Sequence, residues 1–269
     1  MQNITLGQYF PGASAIHRLD PRNKVLLTLA YIVAIFLVKG FFGYALAAAL
    51  VYACCRLSGI PVRYLARGLR PLRVILLFTA VLNLFTSGSG RIMFQVWFIQ
   101  ATWQGLSNAI FYTLRLTLLV LGSSLLTLTT SPIALTDALE RLLSPLRAVK
   151  FPAHELAMMM TIALRMIPTL LEETDKIMKA QSARGADFES GNLLRRAKAM
   201  IPLLVPLFIS AFRRAEDLAV AMECRCYHGG EGRTRMRVLK MSRVDVCGAV
   251  FMAIFLTGFF FTGISRVSS

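Results

Sequence analysis

The chain has 269 residues, 56% hydrophobic and only 16% charged, with a mean hydropathy of +0.60. Soluble domains are about 45–50% apolar and about 25% charged, so soluble, collagen-like and disordered classes are excluded and a membrane protein is expected. Lys and Arg outnumber Asp and Glu by 30 to 14, a formal charge of +16. In so apolar a chain that excess fits basic cytoplasmic loops and an anionic lipid surface better than nucleic acid.

The carboxylates are unevenly spread. None falls between Asp20 and Asp137, and thirteen of the 14 lie in residues 137–245. The first half reads as membrane with basic loops, and residues 131–245 as a mixed-charge segment facing water. Residues 1–23 lack the apolar stretch of about 7–15 residues that a cleavable signal peptide needs, so none is expected.

In chain order, Asp20-Pro21 marks a helix start, a carboxylate cap followed by proline at the first helical position. An apolar helix follows to Val38. Lys39-Gly40 interrupts it, and residues 41–55 are apolar again, giving two spans and a short turn. Arg56, Arg63, Arg67, Arg70 and Arg73, with Pro61 and Pro71, form a basic loop or surface helix that the positive-inside rule puts in the cytoplasm. Residues 74–86 are a third apolar run, ending in an outside loop at Ser87-Gly88-Ser89-Gly90. Trp97 and Trp103 suit an interfacial aromatic belt. A fourth span covers about 105–129 and contains Arg115, for which snorkelling or a bond to a neighbouring helix carbonyl is expected. The N-terminus is then inside.

Proline marks three further helix starts, at Ser131-Pro132, Ser144-Pro145 and Phe151-Pro152. Residues 132–143 read as a short amphipathic helix, and two long helices follow at about 153–183 and 192–225. Both long helices are apolar in their N-terminal parts and charged towards their C-termini. A last apolar run, 246–263, is a fifth span. The fold expected is all-α: a polytopic membrane protein with about five transmembrane helices and cytoplasmic amphipathic helices. Its regions are 1–130, with about four spans; 131–245, the amphipathic helices; and 246–269, the last span and tail.

The two long helices resemble each other. Met166-Ile167-Pro168 returns as Met200-Ile201-Pro202, and Ala183-Arg184-Gly185 as Cys224-Arg225-Cys226. Chance likeness between two apolar helices explains this as well as descent from a repeat. Each helix ends in one Arg between small neighbours, which let a partner surface come close to a guanidinium with five donors. Either the two arginines cap their own helices, or they dock a partner.

No P-loop is present, since Gly229-Gly230-Glu231-Gly232-Arg233-Thr234 lacks the lysine and the spacing. The expected spans carry no carboxylate, which argues against ion-coupled secondary transport. Cys224, Cys226 and His228 fall one ligand short of a structural zinc site. No catalytic constellation, cofactor site or metal site is expected. His17 and His154 stand near helix starts.

His17-Arg18-Leu19-Asp20-Pro21-Arg22, Leu126 through Pro132, Ala180 through Asp187, and Ala221 through Tyr227 with Gly232-Arg233-Thr234 together resemble the transmembrane (T) component of energy-coupling factor transporters, the EcfT family. The doubled Arg motif is the most specific part. Ala183-Arg184-Gly185 matches its usual form, whereas Cys224-Arg225-Cys226 keeps only the Arg. The resemblance implies a non-catalytic coupling subunit in a bacterial cytoplasmic membrane. Its partners would be two cytoplasmic ABC-type ATPases, which bind the ATP and Mg, and one S component, which captures a vitamin or other micronutrient. Ala183, Arg184 and Gly185 would dock one ATPase, and Cys224, Arg225 and Cys226 the other. The competing readings are a membrane enzyme acting on lipid head groups, with His154, Glu155 and arginines gripping phosphate, and a plain membrane scaffold.

Overall fold

The computed structural model describes residues 9–38, 40–86, 92–96, 99–149, 151–186, 188, 192–230 and 241–264. It is helical apart from one short hairpin. The Ser87–Gly90 loop, Trp97, Asp187 and Gly232-Arg233-Thr234 lie outside the described residues. The chain divides into two compact units. The first comprises residues 1–138 and 238–269, and the second residues 139–237.

In the first unit, α1 (Ala15–Arg18) is a single turn capped by the Ser14 hydroxyl, which accepts from His17 N–H at 3.4 Å. Helix α2 (Pro21–Leu37) starts as expected: Asp20 is the cap, its carboxylate accepting from Arg22 N–H at 2.9 Å, with Pro21 at the first position. Helix α3 (Phe41–Ser58) ends at Gly59, whose φ is +71. A short α4 (Val62–Arg67) carries the basic segment, and Arg67 stacks over the Tyr64 ring at 4.7 Å. Helix α5 (Arg73–Thr86) follows. Strands β1 (Ile92–Val96) and β2 (Ile99–Thr102) pair antiparallel, with a register shift between Ile92 and Phe94. Nothing in the sequence patterning marks this hairpin. Thr102 then caps α6 (Trp103–Thr129), its hydroxyl accepting from Gly105 N–H at 3.2 Å.

Helix α6 is the hub, packing against α2, α3, α4 and α5, while α10 (Arg243–Ile264) packs on α2 and α3. The core is Tyr31, Ile35, Tyr44, Ala47, Val51, Leu118, Leu125 and Phe255. The Tyr31 hydroxyl donates to Leu118 C=O at 2.9 Å, so the buried phenol is satisfied. Outward faces are apolar: Leu29, Phe36 and Leu37 on α2, Val74, Leu77 and Phe78 on α5, and Ile254 on α10 are all exposed. By length and composition α3 and α6 are each enough to cross a membrane.

Arg115 bonds as expected. Its Nη2 donates to Val38 C=O at 3.1 Å, at the end of α2, and its Nε to the Tyr44 hydroxyl at 2.9 Å. One carboxylate departs from expectation. Asp245 belongs by sequence to the segment expected to face water, yet it is 1% exposed. It accepts from Asp20 N–H at 2.6 Å and Ser242 N–H at 2.7 Å, joining the starts of α2 and α10. It also acts electrostatically on Lys24, whose ammonium is buried and donates to Thr129 C=O at 2.9 Å and His17 C=O at 3.3 Å. Besides the nearby Ser242, Asp245 is held by Asp20, 225 residues away in sequence, which local patterning does not reveal.

The amphipathic α7 (Pro132–Leu143) runs across the division between units. Ser131 caps it, accepting from Ala134 N–H at 3.3 Å. The second unit continues with a 3-10 segment, Ser144–Val149, then α8 (Ala153–Ala183) and α9 (Leu193–Glu223). These two helices match the two expected from sequence and have equal lengths of 31 residues. Interior prolines, Pro168 in α8 and Pro202 and Pro206 in α9, each remove a backbone donor.

Candidate functional site: two matched helix ends

The two Arg motifs sit at the C-termini of α8 and α9, and the two ends have the same backbone construction. At the first, Gly185 N–H bonds Ser182 C=O at 3.0 Å and Ala186 N–H bonds Gln181 C=O at 3.0 Å. At the second, Cys226 N–H bonds Glu223 C=O at 2.8 Å and Tyr227 N–H bonds Met222 C=O at 3.1 Å. Both are Schellman motifs, in which a left-handed residue ends the helix and the last carbonyls are satisfied by backbone. Arg184 and Arg225 occupy the same capping position. The left-handed residues are Gly185, with φ +88, and Cys226, with φ +56.

The backbone therefore caps both helices without help from either guanidinium. Ala183, Arg184, Gly185, Cys224, Arg225 and Cys226 are all exposed. Neither Arg184 nor Arg225 has a side-chain partner among the described residues. That weakens the reading in which the arginines serve their own helices. It also strengthens the repeat, because the likeness extends from letters to hydrogen-bond pattern. Cys226 is the one non-glycine with positive φ among the described residues, a conformation costing about 1–2 kcal/mol for a residue with a β-carbon.

Between the helices, Glu173 of α8 accepts a hydrogen bond from the Ser210 hydroxyl of α9 and an ion pair from Arg214 Nη2 at 3.0 Å. The Ser210 bond is the largest influence on its carboxyl; burial pushes the other way, and the charge and hydrogen bond of Arg214 with the Lys176 charge bring the balance below the usual carboxylate range. This latch was not read from sequence. Its partners stand 37 and 41 residues apart, and nothing local marks Glu173 from Glu172.

Upstream of the latch, α9 exposes Leu204, Val205, Phe208, Ile209 and Phe212, with Met200 and Ile201 before them. So continuous an apolar surface on a helix with a charged C-terminal part marks a place for protein or lipid. His154, one of the groups considered for phosphate, has its Nδ1–H on Glu140 Oε1 at 2.9 Å, and Glu155 is exposed. Among the described residues no three His, Cys, Asp or Glu side chains come together as a metal site.

The CbiQ family, described as cobalt transport protein, matches residues 12–236. Curated relatives are similar over nearly their whole length. The energy-coupling factor transporter transmembrane protein EcfT of Thermosediminibacter oceani is 58% identical, over 96% of this chain and 97% of that protein. The protein of the same name from Clostridium kluyveri is 54% identical over 94% and 96%, and that of Bacillus subtilis 48% identical over 97% and 98%.

Proposed function

Because the chain belongs to the CbiQ family, as an EcfT-type transmembrane protein of an energy-coupling factor transporter, we propose that it is that transporter's mechanical coupler. Two cytoplasmic ABC-type ATPases bind ATP and Mg, and dock on the two helix ends. Arg184, flanked by Ala183 and Gly185, enters one ATPase, and Arg225, flanked by Cys224 and Cys226, enters the other. An S component, which selects the vitamin or other micronutrient, packs against the apolar faces of α8, α9 and the spans. The chain itself catalyses nothing. It crosses the bacterial cytoplasmic membrane about five times, through α2, α3, α5, α6 and α10, with its N-terminus inside.

The observation that carries this reading is the pair of exposed arginines, without a side-chain partner among the described residues, at ends built alike. A charge left free by its own fold is available to a partner. A guanidinium in a closely packed, desolvated contact is a typical interface hot spot. Coupling follows if the ATPases bind the two ends differently before and after nucleotide hydrolysis. Only a difference in affinity between states shifts the helices. The latch at Glu173 and Ser210 would carry motion from one helix to the other.

The test is purification in mild detergent from cells expressing the whole transporter. The wild-type chain brings down two ATPases. The Arg184→Glu, Arg225→Glu double variant brings down neither, while still inserting in the membrane and keeping its S component. A full-strength complex in that variant refutes docking through the arginines. Lipid turnover by the isolated chain would replace coupling with enzymology.

A further inference from the structure

The two ends are built alike, but among the described residues a support appears only at the second. At the first, a β-carbon on Gly185 would meet nothing within 4 Å. At the second, the chain leaves Cys226 and turns back through Gly229, with φ +95, to Gly230. There it lies against the imidazole of His154. A β-carbon on residue 230 would fall 2.6 Å from His154 Cδ2 and 3.0 Å from Cγ, closer than atoms pack. Only glycine lets the backbone rest on the ring.

That ring is fixed from behind. The Glu140 carboxylate is an acceptor, so His154 Nδ1 donates to it, across 2.9 Å. His154 Nε2 is buried and makes no hydrogen bond among the described residues, so ordinary solvation does not explain the ring's placement. Glu140 belongs to the last turn of α7 and His154 to the first turn of α8. The corner between α7 and α8 and the distant Gly230 thus meet at one imidazole.

We propose that His154 is a positioning residue for the second docking end. Braced by Glu140, it plates the backbone at Gly230 and so fixes the course of residues 226–230. The left-handed turn at Cys226 is thereby held, and with it the direction in which Arg225 leaves the helix. Motion at Arg225 is passed to the α7–α8 junction, while the described surroundings of Gly185 supply no such brace to Arg184. The second docking end is thereby geared to the α7–α8 junction, a support that the described residues do not show at the first. The placement of Arg225 stands on geometry alone, and its use in transport rests on the docking reading above.

The test uses full-length protein in detergent without ATPases, so that it does not depend on docking. A nitroxide is attached to Cys226, with the other four cysteines changed to serine. In a second preparation it is attached to an Arg184→Cys variant with all five native cysteines changed. His154→Ala is expected to shorten the rotational correlation time at position 226 by about two-fold or more and leave position 184 unmoved. Gly230→Val, which forces ring and backbone apart, is expected to do the same. His154→Gln, which keeps a donor towards Glu140, is expected to restore part of the order. No change at 226, or equal loosening at both positions, overturns the proposal. In the assembled transporter His154→Ala is further expected to lower substrate moved per ATP several-fold while both ATPases still co-purify. If the Arg double variant keeps its ATPases, docking fails but the nitroxide result stands.

Discussion

In the first unit, Lys24, Arg115 and Asp245 are turned inward and bonded, whereas in the second Arg184 and Arg225 stand exposed with no side-chain partner among the described residues. The first pattern is what an apolar surrounding demands, because a buried charge without a partner is costly. The second costs nothing in solvent and leaves the charge free for another protein. The contrast teaches where to look for function in such a chain. Its conspicuous buried ions hold helices together, and in the docking reading proposed above its unremarkable exposed ones are the working parts.

The strongest way to break the contrast is to remove an inward charge. Asp245→Ala orphans the Asp20 and Ser242 amides and leaves the Lys24 ammonium without its counter-charge. The cost is expected to be on the order of 3 kcal/mol. Thermal unfolding in detergent would register it, with the first unit losing helicity at a lower temperature. An unchanged transition would mean the buried network is ornamental.

Outward charges should behave oppositely. Arg225→Ala is expected to leave thermal stability within about 0.5 kcal/mol of wild type, as exposed sites do. It should nonetheless cost about 1–3 kcal/mol of affinity for an ATPase, measured by titration in detergent. Arg184→Ala should do likewise at the other end. A large loss of stability in either variant would return these arginines to the role of helix caps.

The matched turns give a smaller effect, with opposite sign at the two ends. Gly185→Val forces a branched side chain into the left-handed region and should destabilise the end of α8 by about 1–2 kcal/mol. Cys226→Gly removes that conflict and should leave the end of α9 as stable or up to about 1 kcal/mol more so. Hydrogen exchange of the last-turn amides reads both.

The smallest effect is the pH dependence of the α8–α9 latch. Glu173 has a folded-state carboxyl lowered from the ordinary 4.5, so its ionised form is favoured by folding. Its contribution is complete above that value and is lost as pH falls through the lowered one. Proximity of α8 and α9, followed by spin-label distances, should hold from neutral pH to about 5 and loosen in stronger acid. Glu173→Gln should loosen the pair at neutral pH and flatten the profile. A profile unchanged by that substitution would take Glu173 out of the latch.

Much of this was legible in the residues. Asp20-Pro21, Ser131-Pro132 and Phe151-Pro152 announce helix starts because caps and proline act on their immediate neighbours. The two long helices and their terminal arginines follow from periodicity and from the repeated small–Arg–small pattern. Family membership follows from the same letters, and the comparisons agree with it. The hairpin at 92–102 was not legible, since short strands without clean alternation look like loop. Nor was Asp245, nor the contacts at Glu173 and His154.

What the sequence determined by itself is the class of molecule, the order of its helices and the two positions at which an arginine ends a long helix. These rest on interactions reaching no further than a few residues, or on composition summed over a span. The matching turns beneath the two arginines are local, but the second has no glycine to announce it. Tertiary structure alone decided that Asp245 is drawn inside and that Gly230 comes to rest on His154. Each of these brings together groups tens to hundreds of residues apart, and such meetings exist only once the helices have packed.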